Sequence, residues 1–131
     1  SLEQDEFINL AQTMKVITAS WVAETSGAFT AADITGCQGM WLVMVETNPG
    51  TRAPTDDYDI TLTDTGGRDV AAGILADRDT ATTEVALPDR VSRPVDSDLT
   101  LNITNNVVDR ANGTVKLFLS SVPTAIAAAA A

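Results

Sequence analysis

A chain of 131 residues is long enough to bury one core without metals or disulfides to staple it, and one domain is the expectation. Its 18 acidic residues against 8 basic ones give a net charge of −10, which repels nucleic acid phosphates and anionic membranes, so neither is expected as a partner. With no histidine, the commonest general base and the commonest transition-metal ligand are both missing, and few enzymatic mechanisms remain open.

The first segment places Leu2, Phe7, Leu10, Ala11 and Met14 at spacings near three and four, which predicts a short amphipathic helix. Glu3, Asp5 and Glu6 fall in its first turn, where they suit the helix dipole. Such an arm is too short to be stable alone, so it is expected to dock on its own domain or on a neighbouring subunit. Its opening, SLEQDEF, lacks the basic start and apolar centre of a signal peptide, and no run of 18 apolar residues follows; a soluble chain made in the cytoplasm is expected.

From Lys15 the period changes to two. Ile17, Ala19 and Trp21 alternate with Val16, Thr18, Ser20 and Val22 and predict a strand with one larger apolar face. The segment ETSGAFTAADITGCQG reads as a loop. Its Cys37, flanked by Gly36, Gln38 and Gly39, has no partner for an internal disulfide and no adjacent positive charge, and it reads as a small buried hydrophobe. Met40 to Val45 (MWLVMV) is continuously apolar, as in a central strand covered on both faces. Pro49, Gly50 and Pro54 then mark a long surface loop.

Tyr58, Ile60 and Leu62 alternate with Asp59, Thr61 and Thr63 in the next strand, and Asp64 to Gly67 (DTGG) reverses it, because glycine takes the positive φ of tight turns. Weaker strands are expected at Asp69 to Leu75 and Thr82 to Leu87, before the loop PDRVSRPVDS. Leu99, Leu101 and Ile103 form the cleanest period-two pattern, repeated by Val115, Leu117 and Leu119 after a polar loop; an antiparallel pair is expected of them. About seven short strands with frequent turns predict an all-β fold, an antiparallel β-sandwich or jelly-roll-like barrel. Trp21 and Trp41 are expected in its core. The predicted division is an arm over residues 1–14, the β-domain over 15–122 and a flexible Ala-rich tail over 123–131.

Few side chains suggest chemistry. The acids Asp56, Asp57, Asp59, Asp64 and Asp69 do not follow the EF-hand spacing, and they read as a solvated rim, with bound calcium as the alternative. No GxxxxGK, GxGxxG or GxSxG motif occurs, so no catalytic residue, cofactor or metal ligand is assigned. Arg68 and Arg78 stand among acids, suited to surface pairing or to an acidic partner. Phe118 points away from Val115, Leu117 and Leu119, so it is covered by the arm or used at a subunit contact.

The succession PTDDYDITLTDTGGRDVAAGIL, PVDSDLTLNITNN and ANGTVKLFL resembles small virion proteins of tailed bacteriophages, encoded among head and head-to-tail genes. The resemblance covers Trp21 to Leu119 and excludes the acidic arm. It implies a structural, non-enzymatic role on the virion: a capsid decoration (cement) protein that forms trimers and binds the major capsid protein. A ring-forming connector, neck or tail component is the alternative, and a calcium- or carbohydrate-binding β-module is a further one. Contact is expected through Phe7 and Leu10 in the arm, through Arg68 and Arg78 around the turn, and through Phe118.

Overall fold

The computed structural model describes residues 12–125. They form eight strands: β1 (Met14–Val22), β2 (Ala32–Ile34), β3 (Met40–Pro49), β4 (Asp59–Thr63), β5 (Glu84–Ala86), β6 (Arg93–Val95), β7 (Leu99–Thr104) and β8 (Asn112–Ser120). The larger sheet has the order β1-β8-β3-β5, with β6 pairing the opposite end of β3; the smaller is β2-β7-β4. All pairs are antiparallel, so this is the expected all-β, sandwich-like fold.

Alternation decides which side chains close the core. Ile17, Trp21, Leu42, Val45, Val115, Leu117 and Leu119 face inward from the larger sheet, opposite Ile34, Ile60, Leu62, Leu99, Leu101 and Ile103 from the smaller. Trp21 lies edge-on to Phe29 at 5.9 Å and 6.0 Å from the fully buried Tyr58 ring. Burial pushes the Tyr58 phenol up to about 12, so it stays protonated. Cys37 is buried, its thiol directed at the Ile34 carbonyl (3.5 Å), and burial raises its pKa.

Several expectations are corrected. Met14, assigned to the helical arm, opens β1 and pairs with Ser120, because the two-residue alternation of β1 begins one residue earlier than the helical spacing suggested. The remainder of that helix, with Phe7 and Leu10, lies outside the described residues, as do Ala127 to Ala131. β7 and β8 are not a pair: they lie in opposite sheets and face each other across the core, their connection crossing the sandwich. β7 instead pairs with β4, Ile60 opposite Ile103 and Leu62 opposite Leu101.

Asp69 to Leu75 is a chain of turns, not a strand. Ala72 and Gly73 both have positive φ, which a regular ladder cannot accommodate, yet Val70, Ala71 and Leu75 are buried and give the segment its apolar pattern. β2 and β6 are short enough to be read as loop from the sequence, and Pro94 in β6 disguises it further. MWLVMV is central, between β8 and β5/β6, but among the described residues it is covered on one face only. Trp41 therefore lies half-buried on the outer face of the larger sheet, between Ser120 and Pro94.

Candidate interaction surface

The two outward sheet faces differ in chemistry. On the smaller sheet, Asp59 lies opposite Thr104, Thr61 opposite Asn102 and Thr63 opposite Thr100; the Asn102 amide donates to Thr63 Oγ1 at 3.4 Å. This is a hydrated polar surface. On the larger sheet the ladder rows run across β1, β8 and β3: Met14–Ser120–Trp41, then Val16–Phe118–Met44, then Thr18–Lys116–Glu46. A register shift between Leu42 and Met44 brings Met44 to this outer side, beside Phe118.

Half of that face is apolar and open to solvent. Met14 is 53% exposed and Val16 51%, while Val85, opposite Glu46 on β5, is 54% exposed. Phe118 and Met44 are half-buried between them. In these rows the acid is Glu46, whose charge is met by Lys116 at 3.8 Å. A neutral apolar face of several large side chains, on a chain of net charge −10, is suited to contact with protein.

The acids are concentrated elsewhere, and their carboxylates fold the loops. Asp64 Oδ1 accepts the Gly66 and Arg68 amides at 2.9 and 3.0 Å, and Gly67, at φ +83°, closes the turn onto the Asp64 carbonyl. The Arg68 guanidinium bonds to Asp64 at 2.9 Å and to Asp96 at 3.0 Å, linking the turn to the loop before β7. Asp69 accepts three amides, from Leu62, Ala71 and Gly73, which holds the returning turns on β4. Arg78 is mostly buried: it donates to the Ala76 carbonyl and lies 3.7 Å from Glu84, so its charge serves the loop.

A cavity of about 250 Å3 opens between this turn and β6, lined by Asp64, Asp69, Asp96, Arg68 and Arg93 among others. Arg93 Nε is buried with no hydrogen-bond partner among the described residues. Three carboxylates against two guanidiniums leave the cavity without the positive charge that would draw an anion. Among the described residues, no group of three or more Cys, Asp or Glu side chains is placed to hold a metal ion. Asp56 and Asp59 instead accept the Thr80 and Asp77 amides, at 3.2 and 2.8 Å.

The acids titrate in opposite directions. The Arg68 amide, then its guanidinium, hold Asp64 below the usual carboxylate range, and the Thr82 hydroxyl does the same for Asp79. Asp57 is raised, above all by Asp56 and further by Asp77, Asp59 and Asp79. A lowered carboxylate contributes stability that is present above its unfolded pKa, about 4, and lost as pH falls through the folded value. A raised one works inversely: its contribution is full below about pH 4 and is lost as pH rises through the folded value.

Asp57→Asn is therefore expected to raise the melting temperature at pH 7 and low salt, with the gain shrinking in about 0.5 M NaCl and vanishing near pH 3. Asparagine also tolerates the φ of +65° at this position. A melting temperature unchanged at pH 7 would show that the four neighbouring acids do not repel it.

Of the residues singled out in the sequence, Phe118 is on the apolar face, Arg68 is on the turn that faces β6, whose Pro94 lies opposite Trp41, and Arg78 is largely enclosed. Val16, Met44 and Trp41, which complete the Phe118 surface, were missed. Their signal was present: β1 and MWLVMV carry apolar residues at both parities, one more set than a single core needs.

No protein-family model matches the chain, and no curated protein matches it. Among solved structures it is similar to a chain of the cyanophage Pam1 capsid asymmetric unit, at 19% identity over 84% of each chain and a TM-score of 0.48.

Proposed function

We propose that the chain is a structural protein of a tailed-phage virion, a decoration protein that attaches in many copies to the outside of the head and acts by binding, without catalysis. The observation that carries the reading is the neutral apolar face of the larger sheet, the Val16–Phe118–Met44 row above all, on an otherwise acidic domain. The sequence resemblance supplies the particle, and this face supplies a contact to the major capsid protein or to neighbouring copies. Weak contacts of this kind become stable through repetition on a lattice. Arg68, 70% exposed at the turn, is a second contact, and Phe7 and Leu10 a third, from residues that precede β1. Arg78 contributes by fixing its own loop, through the Ala76 carbonyl and Glu84.

Co-sedimentation of the purified chain with phage heads stripped of it tests the reading. Saturable binding is expected at a stoichiometry near one copy per capsid protein. Phe118→Ser is expected to weaken binding at least about tenfold while leaving the fold intact, because the side chain is half-buried and outside the core. Binding at the portal vertex alone favours the ring-forming neck component, and no binding to any head defeats both.

A further inference from the structure

β1 is a free edge. It pairs with β8 on one side, and among the described residues no strand pairs with its other side. The ladder fixes which backbone groups are left over. The Ser121 amide donates to the Thr13 carbonyl at 2.9 Å and the Ala23 amide to the Ala111 carbonyl at 2.7 Å, so odd-numbered residues direct their N–H and C=O groups at β8. Those of Met14, Val16, Thr18, Ser20 and Val22 point outward, and no described residue bonds to them. A cleft of about 290 Å3, lined by Ile17, Ala19, Ile34 and Leu101 among others, separates β1 from β2, so the smaller sheet does not cover this edge.

The strand has no proline and no bulge, and the one protection it carries, Lys15, is held by its own chain at the Gly36 carbonyl, 2.7 Å away. We infer that the β1 edge is a site for a second copy of this chain, the two β1 strands pairing antiparallel about a two-fold axis at Thr18 and joining two larger sheets into one. The register is self-complementary. Thr18 is the midpoint of Met14–Val22, so Thr18 meets its own counterpart, Val16 meets Ser20 and Met14 meets Val22, and every outward group of the strand gains a partner, about ten hydrogen bonds in all.

Charge favours a copy at this place over any other. Two chains of −10 repel, and β1 has no acid, while each Lys15 brings a positive charge toward an acidic neighbour. The pairing also sets Met14 beside Val22 of the other copy on the outer face, while the Val16–Phe118–Met44 row meets the Ser20–Thr114–Asn48 row of that copy. The inference stands on the strand alone and holds whether or not the chain belongs to a particle.

The test is light scattering over a range of concentration and salt, on the full chain and on Thr18→Pro. The full chain is expected to reach twice its 13.7 kDa mass, more readily at high salt. Thr18→Pro is expected to stay monomeric with unchanged circular dichroism, because the amide it removes points away from β8. A chain monomeric throughout, or a dimer that survives Thr18→Pro, overturns the inference. Should Thr18→Pro unfold, cysteine cross-linking decides: Thr18→Cys is expected to oxidise to a dimer, its Cα atoms about 5.5 Å apart, and Ser20→Cys to do so at least tenfold more slowly. Equal rates exclude the register. Amides 14, 16, 18, 20 and 22 are expected to gain protection from hydrogen exchange only at dimer concentrations; protection in the monomer would mean that the chain covers its own edge.

Discussion

Alanine at Asn106 is expected to lower the stability of the chain by about 3 kcal/mol, one of the largest losses available from a polar residue. Asn106 clamps three loops. Its Oδ1 accepts the Thr55 amide at 2.9 Å and the Val108 amide at 3.1 Å, and its Nδ2 donates to the Gly27 carbonyl at 3.2 Å and the Val108 carbonyl at 3.3 Å. The side chain is buried, so truncation strands several backbone groups away from water, each costing about 1 kcal/mol or more. Against a total of about 5–15 kcal/mol for a domain, the variant still folds but with a much reduced midpoint in urea. Asn106→Asp, which keeps the acceptor and loses the donor, should fall between. A loss below about 0.5 kcal/mol for alanine would show that water replaces the clamp.

Gly113→Ala is expected to cost about as much, for a steric reason. Gly113 lies opposite Trp21 on β1 and Pro49 on β3, and the indole lies against it. A Cβ there would sit 2.7 Å from the Asn48 carbonyl oxygen and 3.1 Å from two indole carbons. The carbonyl belongs to a neighbouring strand and Trp21 to the core, so neither gives way freely, and a cost of about 3 kcal/mol follows. Indole fluorescence should shift to the red as Trp21 is displaced. Gly39→Ala is the control: it has positive φ (+83°) but nothing within 4 Å of the added carbon, and should lose only about 1 kcal/mol. Equal losses at the two positions would mean that the contact at Gly113 relaxes.

The fold class was legible because alternation is unbroken in β7 and interrupted in β8 by Phe118 alone, and Leu99, Leu101, Ile103, Val115, Leu117 and Leu119 were all recognised as core. Their pairing was not legible. Two clean strands joined by a polar loop look like a hairpin whether they share a sheet or face each other across a sandwich, because alternation fixes the face and not the neighbour. The turn at Asp64 to Gly67 was read correctly, but its return was not, since buried Val70, Ala71 and Leu75 imitate a strand where side chains of Asp69 and positive φ values set the path. Phe118 was found because it broke the pattern. Val16 and Met44 were not, because their own strands carry apolar residues on both sides, and only the register unites them with Phe118 in one row.

The central claim, that the chain works as a repeated structural unit of a phage head, is tested most directly by its copy number in purified particles, measured against the major capsid protein by quantitative mass spectrometry. Roughly one copy per capsid protein is the predicted result. A count of about six or twelve per particle would place the chain in a ring instead, and its absence from purified particles would contradict the account.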